Sequence, residues 1–121
     1  MDQGHTTKLK TIWLACEMFR EDQFGLMIYD HITKQPWPYD FNDYPLTQVL
    51  VERMREWYNN YYPLTSSTAQ ELEKESALID TLDKEGIEIL KQIGHELEGV
   101  LSCKLEYYSR GRDRTIYSME N

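Results

Sequence analysis

Hydrophobic residues recur along this chain with two different periods, and the change of period marks out the elements. Between Pro45 and Pro63, Leu46, Leu50, Met54, Trp57 and Tyr61 follow one another at steps of four, four, three and four. That spacing draws one apolar and aromatic stripe along a helix, and Glu52, Arg53, Arg55, Glu56 and Asn59 fall mostly off it. Asp43 stands where an N-cap carboxylate accepts free backbone N–H groups, Pro45 suits a first turn, and Pro63 stops the run because it lacks an N–H. The pattern predicts a helix over 45–61, with the other elements packed on its Trp57 stripe. A second helical period runs through Leu82, Gly86, Leu90, Ile93 and Leu97, with Ile87 and Ile89 widening the arc. Asp80 or Asp83 is its expected cap, Gly86 and Gly94 permit close approach of a neighbouring backbone, and Gly99 is the expected stop after Glu98. Between the two, Thr68-Ala-Gln-Glu71 has the spacing of a capping box. It reads either as the start of a short polar helix, with Glu71, Glu73 and Glu75 outside and Leu72, Ser76 and Ile79 as a weak buried face, or equally as a mobile linker.

Strict alternation marks the strands. From Leu9 to Cys16, Thr11, Trp13 and Ala15 point one way while Ile12, Leu14 and Cys16 point the other. Both faces are fairly apolar, as for a central strand or one covered on both sides. Phe24 to Ile32 is a second strand, joined to the first across the charged stretch 17–23, so an antiparallel hairpin is expected. Near the end, Cys103, Leu105 and Tyr107 alternate with Lys104, Glu106 and Tyr108. After the polar turn Ser109–Arg114, Thr115 to Met119 returns as a short edge strand. Met1 to Thr7 is polar and reads as frayed. The order implies one α+β domain over 1–121: a small, mainly antiparallel sheet with two or three helices packed on one face.

One stretch obeys neither period. Thr33 to Pro45 holds three prolines, and Trp37, Tyr39, Phe41 and Tyr44 crowd there with Asp40 and Asp43. Such a stiff loop of large side chains either closes the end of a core or presents a recognition surface.

Charge narrows the choice of partners. Against 13 Lys and Arg stand 21 Asp and Glu, a formal net charge of −8 in 121 residues, and the pI is near 4.8. Nucleic acid and anionic membranes repel such a surface, and basic proteins attract it. No signal peptide is expected from Met1 to Lys10, nor any apolar run long enough to span a membrane. Cys16 and Cys103 are too far apart to chelate as a pair. They read as small buried hydrophobes in a reducing cytoplasm.

Reaction chemistry finds little to build on. Gly94 and Gly99 lack the spacing of a phosphate-binding loop, and His5, His31 and His95 share no spacing that would hold a metal. Asp30 with His31, joined by Asp40 and Glu17, is the most enzyme-like set, and each member reads equally as a solvated strand end. Neither cysteine has a partner that the sequence nominates. No catalytic residue, metal site or cofactor is therefore assigned. Arg110, Arg112 and Arg114 form the one dense basic cluster, read as a turn that offsets nearby carboxylates.

The Trp57 helix, followed by Asp83-Lys-Glu-Gly-Ile-Glu-Ile-Leu-Lys-Gln-Ile-Gly-His-Glu-Leu97 leading into Val100 to Tyr108, resembles bacterial immunity proteins of contact-dependent growth inhibition and related polymorphic toxin systems. The similar pattern is an acidic residue, a glycine, an apolar helix ending in Glu-Leu and a short strand with tyrosine. It covers about a quarter of the chain. The resemblance implies a cytoplasmic protein, not an enzyme, that binds and neutralises a cognate toxin domain. Toxins of these systems are commonly nucleases with basic substrate surfaces, which fits the negative charge. Trp37, Tyr39, Asp40, Asp43 and Tyr44 are the expected contacts, with Tyr58 and Tyr62 beside them as exposed tyrosines. The alternative is a phage- or plasmid-encoded acidic inhibitor whose carboxylates over Glu71 to Glu98 mimic nucleic acid.

Overall fold

A computed structural model describes residues 10–16 and 25–120. The N-terminal segment, His5 and the 17–23 connection with Glu17 lie outside the described residues. Five strands form one sheet in the order β3-β2-β1-β4-β5: β1 is Lys10–Leu14, β2 Leu26–Asp30, β3 Gln35–Pro38, β4 Lys104–Ser109 and β5 Arg114–Glu120. Neighbours are antiparallel except β1 and β4, which pair in parallel with Ile12 beside Leu105 and Leu14 beside Tyr107. Between β3 and β4 the chain makes three helices, α1 (Gln48–Tyr61), α2 (Ala69–Lys74) and α3 (Ser76–Glu96). The architecture is the expected α+β one, a mostly antiparallel sheet with helices packed against it.

Alternation decides which face they cover. Ile12, Leu14, Leu26, Leu105 and Tyr107 are fully buried and share one cluster with Leu50, Met54, Trp57 and Tyr61 of α1 and Leu82, Ile89, Leu90 and Ile93 of α3. Trp13, Met27 and Glu106 take the other face, where the Trp13 indole donates to Glu106 Oε1 at 2.9 Å and its ring lies 5.3 Å from that of Tyr29. β1 is the middle strand, as its two apolar faces required. The Trp57 stripe is the centre of the core. The indole N–H donates to Leu82 O of α3 at 2.8 Å, and the ring meets Tyr61 and Tyr107 edge-on at 5.7 and 6.2 Å. Burying its one polar atom on a carbonyl lets so large a ring go inside without loss.

Several boundaries differ from expectation. α1 begins at Gln48 with Thr47 as N-cap, because Thr47 Oγ1 accepts from Leu50 N–H while Asp43 and Pro45 stay in the preceding loop. Pro63 does not end the spiral at once, since Tyr62–Ser66 tightens into a 3₁₀ turn with the proline in its first turn. Thr68 and Glu71 do form the capping box of α2. α3 starts seven residues before Asp83, at Ser76, after a single-residue break at Glu75, so Asp80 and Asp83 lie within it and cap nothing. α3 ends at Glu96, and Gly99 takes the positive φ of 77° that the exit demands. The strand β3 was hidden in the proline-rich stretch. Pro36 and Pro38 sit on the outermost strand, where a missing N–H is tolerated and discourages pairing with other chains.

Candidate functional site

Beyond β3 the chain turns along the rim of the helical layer, and its geometry is fixed at both ends. Tyr39 N–H donates to Leu26 O at 3.0 Å, which carries the strand register one residue further and turns the Tyr39 ring under the helices. The ring is 1% exposed, touches Phe41 and Tyr44, and sends its hydroxyl to Tyr44 O at 2.7 Å. Burial pushes this phenol's pKa up. Asp40 then folds a turn: Oδ1 accepts from Asn42 N–H at 2.8 Å and its carbonyl from the N–H groups of Asp43 and Tyr44. At the far end Thr47 donates its N–H and its hydroxyl to the two carboxylate oxygens of Glu96, at 2.8 and 2.7 Å. Burial raises the Glu96 pKa, but the Thr47 bonds, aided by Gln92 and the His95 charge, bring it below the usual value.

The loop so held frames an open concavity of about 680 Å³ lined by Trp37, Asp40, Phe41, Asp43, Tyr44 and others. Trp37 is 58% exposed, Asp40 and Asp43 are exposed, and Tyr44 is half-buried. Neither carboxylate has an ion-pair partner among the described residues. Four of the seven expected contact residues are thus brought together with surface to offer. Tyr39 is not available: its ring belongs to the core. Tyr58 was expected to be exposed and is 7% exposed, because it follows Met54 by four residues and shares its side of α1. Tyr62 keeps 39% of its surface and stacks on Tyr58 at 5.6 Å. It lies beyond the other end of α1, about 20 Å from the loop at 1.5 Å per residue.

A second polar constellation escaped the sequence altogether. Asp83 is 4% exposed in the middle of α3, and its Oδ1 accepts from Tyr61 OH at 2.8 Å and Tyr107 OH at 2.7 Å. Its Oδ2 accepts from Ser109 Oγ at 2.6 Å. The donors are oriented in turn: Gly111 N–H donates to the Tyr61 hydroxyl oxygen at 2.9 Å and Arg112 N–H to Ser109 Oγ at 3.0 Å. One carboxylate therefore ties α1, α3, β4 and the β4–β5 turn. Burial, then the nearby Asp83 charge, push the Tyr107 pKa far up. Burial does the same at Tyr61 against opposing bonds from Ser109 and Gly111. Gly86 makes the arrangement possible, since a Cβ there would lie 2.3 Å from Tyr107 Cε1. Every acceptor direction in use faces a protein hydroxyl, which is the mark of a fastening rather than a reaction centre.

The remaining candidates are accounted for locally. Asp30 Oδ1 caps the β2–β3 turn through the N–H groups of Ile32 and Thr33, its Oδ2 pairs with Lys10 at 3.4 Å, and its pKa is lowered chiefly by Ile32 N–H. His31 Nε2 lies 2.7 Å from Thr11 Oγ1, so Asp30 and His31 serve separate partners. Arg112 pairs with Asp80 and with Ser76, the carboxylate-offsetting use expected of the basic cluster, whereas Arg110 reaches Thr65 O and Arg114 has no ion-pair partner among the described residues. Cys16 and Cys103 are buried in the core, and the Cys16 thiol donates to Tyr58 O at 3.9 Å. Among the described residues no group of three or more His, Cys, Asp or Glu side chains could hold a metal, and no helix is long and apolar enough to cross a membrane. No family model, curated protein or solved structure matches the chain.

Proposed function

We propose that the chain is an immunity protein that binds the basic toxin domain of a polymorphic toxin system and blocks its active site or substrate surface, without chemistry of its own. The observation that carries this reading is the loop over 37–46. It sets an exposed indole and two carboxylates, neither with an ion-pair partner among the described residues, around one concavity, on a backbone already fixed by Tyr39 and Thr47. A fixed loop loses little conformational entropy on binding, an aromatic anchor supplies burial, and unpaired carboxylates steer a cationic partner into place. The acidic stretch over α2 and α3 offers less for nucleic-acid mimicry. Glu85 is paired with Arg53, Glu88 with Lys91 and Asp80 with Arg112, which breaks any regular row of negative charge.

The test is protection of growing cells from the toxic C-terminal domain encoded directly upstream. The wild-type chain restores growth, and the double variant Asp40→Lys, Asp43→Lys does not, although it folds normally. Full protection by that variant, or none by the wild type, would refute the assignment.

A further inference from the structure

Between Tyr62 and Leu78 no residue is buried, although α1 before this stretch and α3 beyond it are both anchored in the core. The stretch consists of two short helical pieces with a joint between them. Tyr62–Ser66 is the 3₁₀ turn and Ala69–Lys74 is α2. Ser67 and Thr68 between them have extended backbone, and Glu75 breaks α2 from α3. Neither piece seats on the neighbouring β4–β5 turn. A cleft of about 480 Å³ lies between them, lined by Leu64, Thr65, Leu72, Arg110, Gly111 and others, and Leu64 and Leu72 are only half-buried beside it.

Among the described residues, two side chains of the turn reach this stretch. Arg110 Nη2 donates to Thr65 O at 3.5 Å, a long and weak hydrogen bond. Arg112 Nη2 donates to Ser76 Oγ at 2.9 Å and to Ser76 O at 3.3 Å, at the far end. Side chains that face a gap forgo the dispersion contacts of close packing, and a segment with little apolar burial opens at low free energy. A helix of six residues has no stability of its own, so α2 melts whenever the stretch leaves the turn. We infer that residues 62–75 form a strap that opens as one unit while the sheet, α1 and the body of α3 stay folded, and that Arg110 and Arg112 tether it. Opening uncovers Leu64, Leu72 and Arg110. The strap follows the C-terminal end of α1 and the 37–46 loop precedes its N-terminal end, so the inference stands apart from the toxin-binding assignment.

Hydrogen exchange of the full chain, read by NMR at urea concentrations below the unfolding transition, tests this directly. The Ser67, Leu72 and Glu75 amides donate within the strap. They should share one opening step that urea does not affect, and exchange about a hundredfold or more faster than the Met54 and Leu90 amides. Arg110→Ala should speed the three strap amides about threefold, and Arg110→Ala with Arg112→Ala about tenfold, with Met54 and Leu90 unchanged. Strap amides that exchange in step with Met54 and Leu90 overturn the inference. Arginine substitutions that leave the strap rates unchanged also overturn it, because they reduce the stretch to ordinary fraying.

Discussion

Two carboxylate-bearing regions lie at opposite ends of α1, and they treat negative charge in opposite ways. At the C-terminal end Asp83 is buried and receives three hydroxyl donors, one from α1 and two from β4. At the N-terminal end Asp40 and Asp43 stand in water with no ion-pair partner among the described residues, beside an exposed Trp37 and on a concavity that Lys10 also lines. A charge taken out of water must be fully hydrogen-bonded, so the first region holds elements together and has nothing left to offer a partner. A charge left in water contributes almost nothing to stability and keeps its full attraction for an approaching cation. Both regions are acidic, but one is spent on hydrogen bonds within the fold and the other is the surface proposed for recognition.

Removing the buried carboxylate is the strongest way to break this contrast. Asp83→Ala leaves the Tyr61, Tyr107 and Ser109 hydroxyls without an acceptor and opens a void, so urea unfolding should show a loss of about 3–5 kcal/mol. Gly86→Ala is the milder counterpart. Its methyl group meets the Tyr107 ring and moves the hydroxyl off Asp83, at a cost of about 1–3 kcal/mol in the same experiment. A loss below about 0.5 kcal/mol in both would remove the structural role given to the network.

High pH sharpens the comparison without any substitution. The raised pKa values of Tyr39, Tyr61 and Tyr107 mean that the folded chain binds these protons more tightly than the unfolded chain. Stability from this source is complete below the ordinary phenol value of 10.0 and falls as pH rises above it. An ultraviolet titration of the nine tyrosines should show an early exposed set and a late set that ionises only with unfolding. Asp83→Ala removes a nearby charge and so moves the ionisation of Tyr61 and Tyr107 to lower pH, while Tyr39 stays in the late set. A single smooth titration of all nine tyrosines while the fold persists would contradict the burial described.

The layers and most elements were legible in the sequence because burial there follows a local period. The Trp57 stripe, the alternating β4 and the two-faced β1 all read directly from neighbours in the chain. β3 was not legible, since prolines usually exclude strand pairing and only an outer position lifts the objection. Tyr39 looked like a loop aromatic, yet it sits across from the fully buried Leu26 and goes under the helices with it. Asp83 falls on the apolar arc of α3, four residues after Ile79 and three before Gly86. That is the one signal that marked it as buried. Its donors Tyr61, Tyr107 and Ser109 are 22, 24 and 26 residues away, a distance across which no local pattern pairs a hydroxyl with a carboxylate. In the loop the composition left core closure and a recognition surface both open, and only the fold divides the accessible Trp37, Asp40, Asp43 and Tyr44 from the buried Tyr39.

The smallest effect on folding is tied to the largest effect on binding, and that pairing tests the central claim most directly. Asp40→Lys, Asp43→Lys should shift unfolding free energy by no more than about 0.5 kcal/mol. Calorimetric titration against a toxin domain that the wild-type chain neutralises should show the same variant weakened about a hundredfold. Unchanged affinity in a folded double variant would contradict the account.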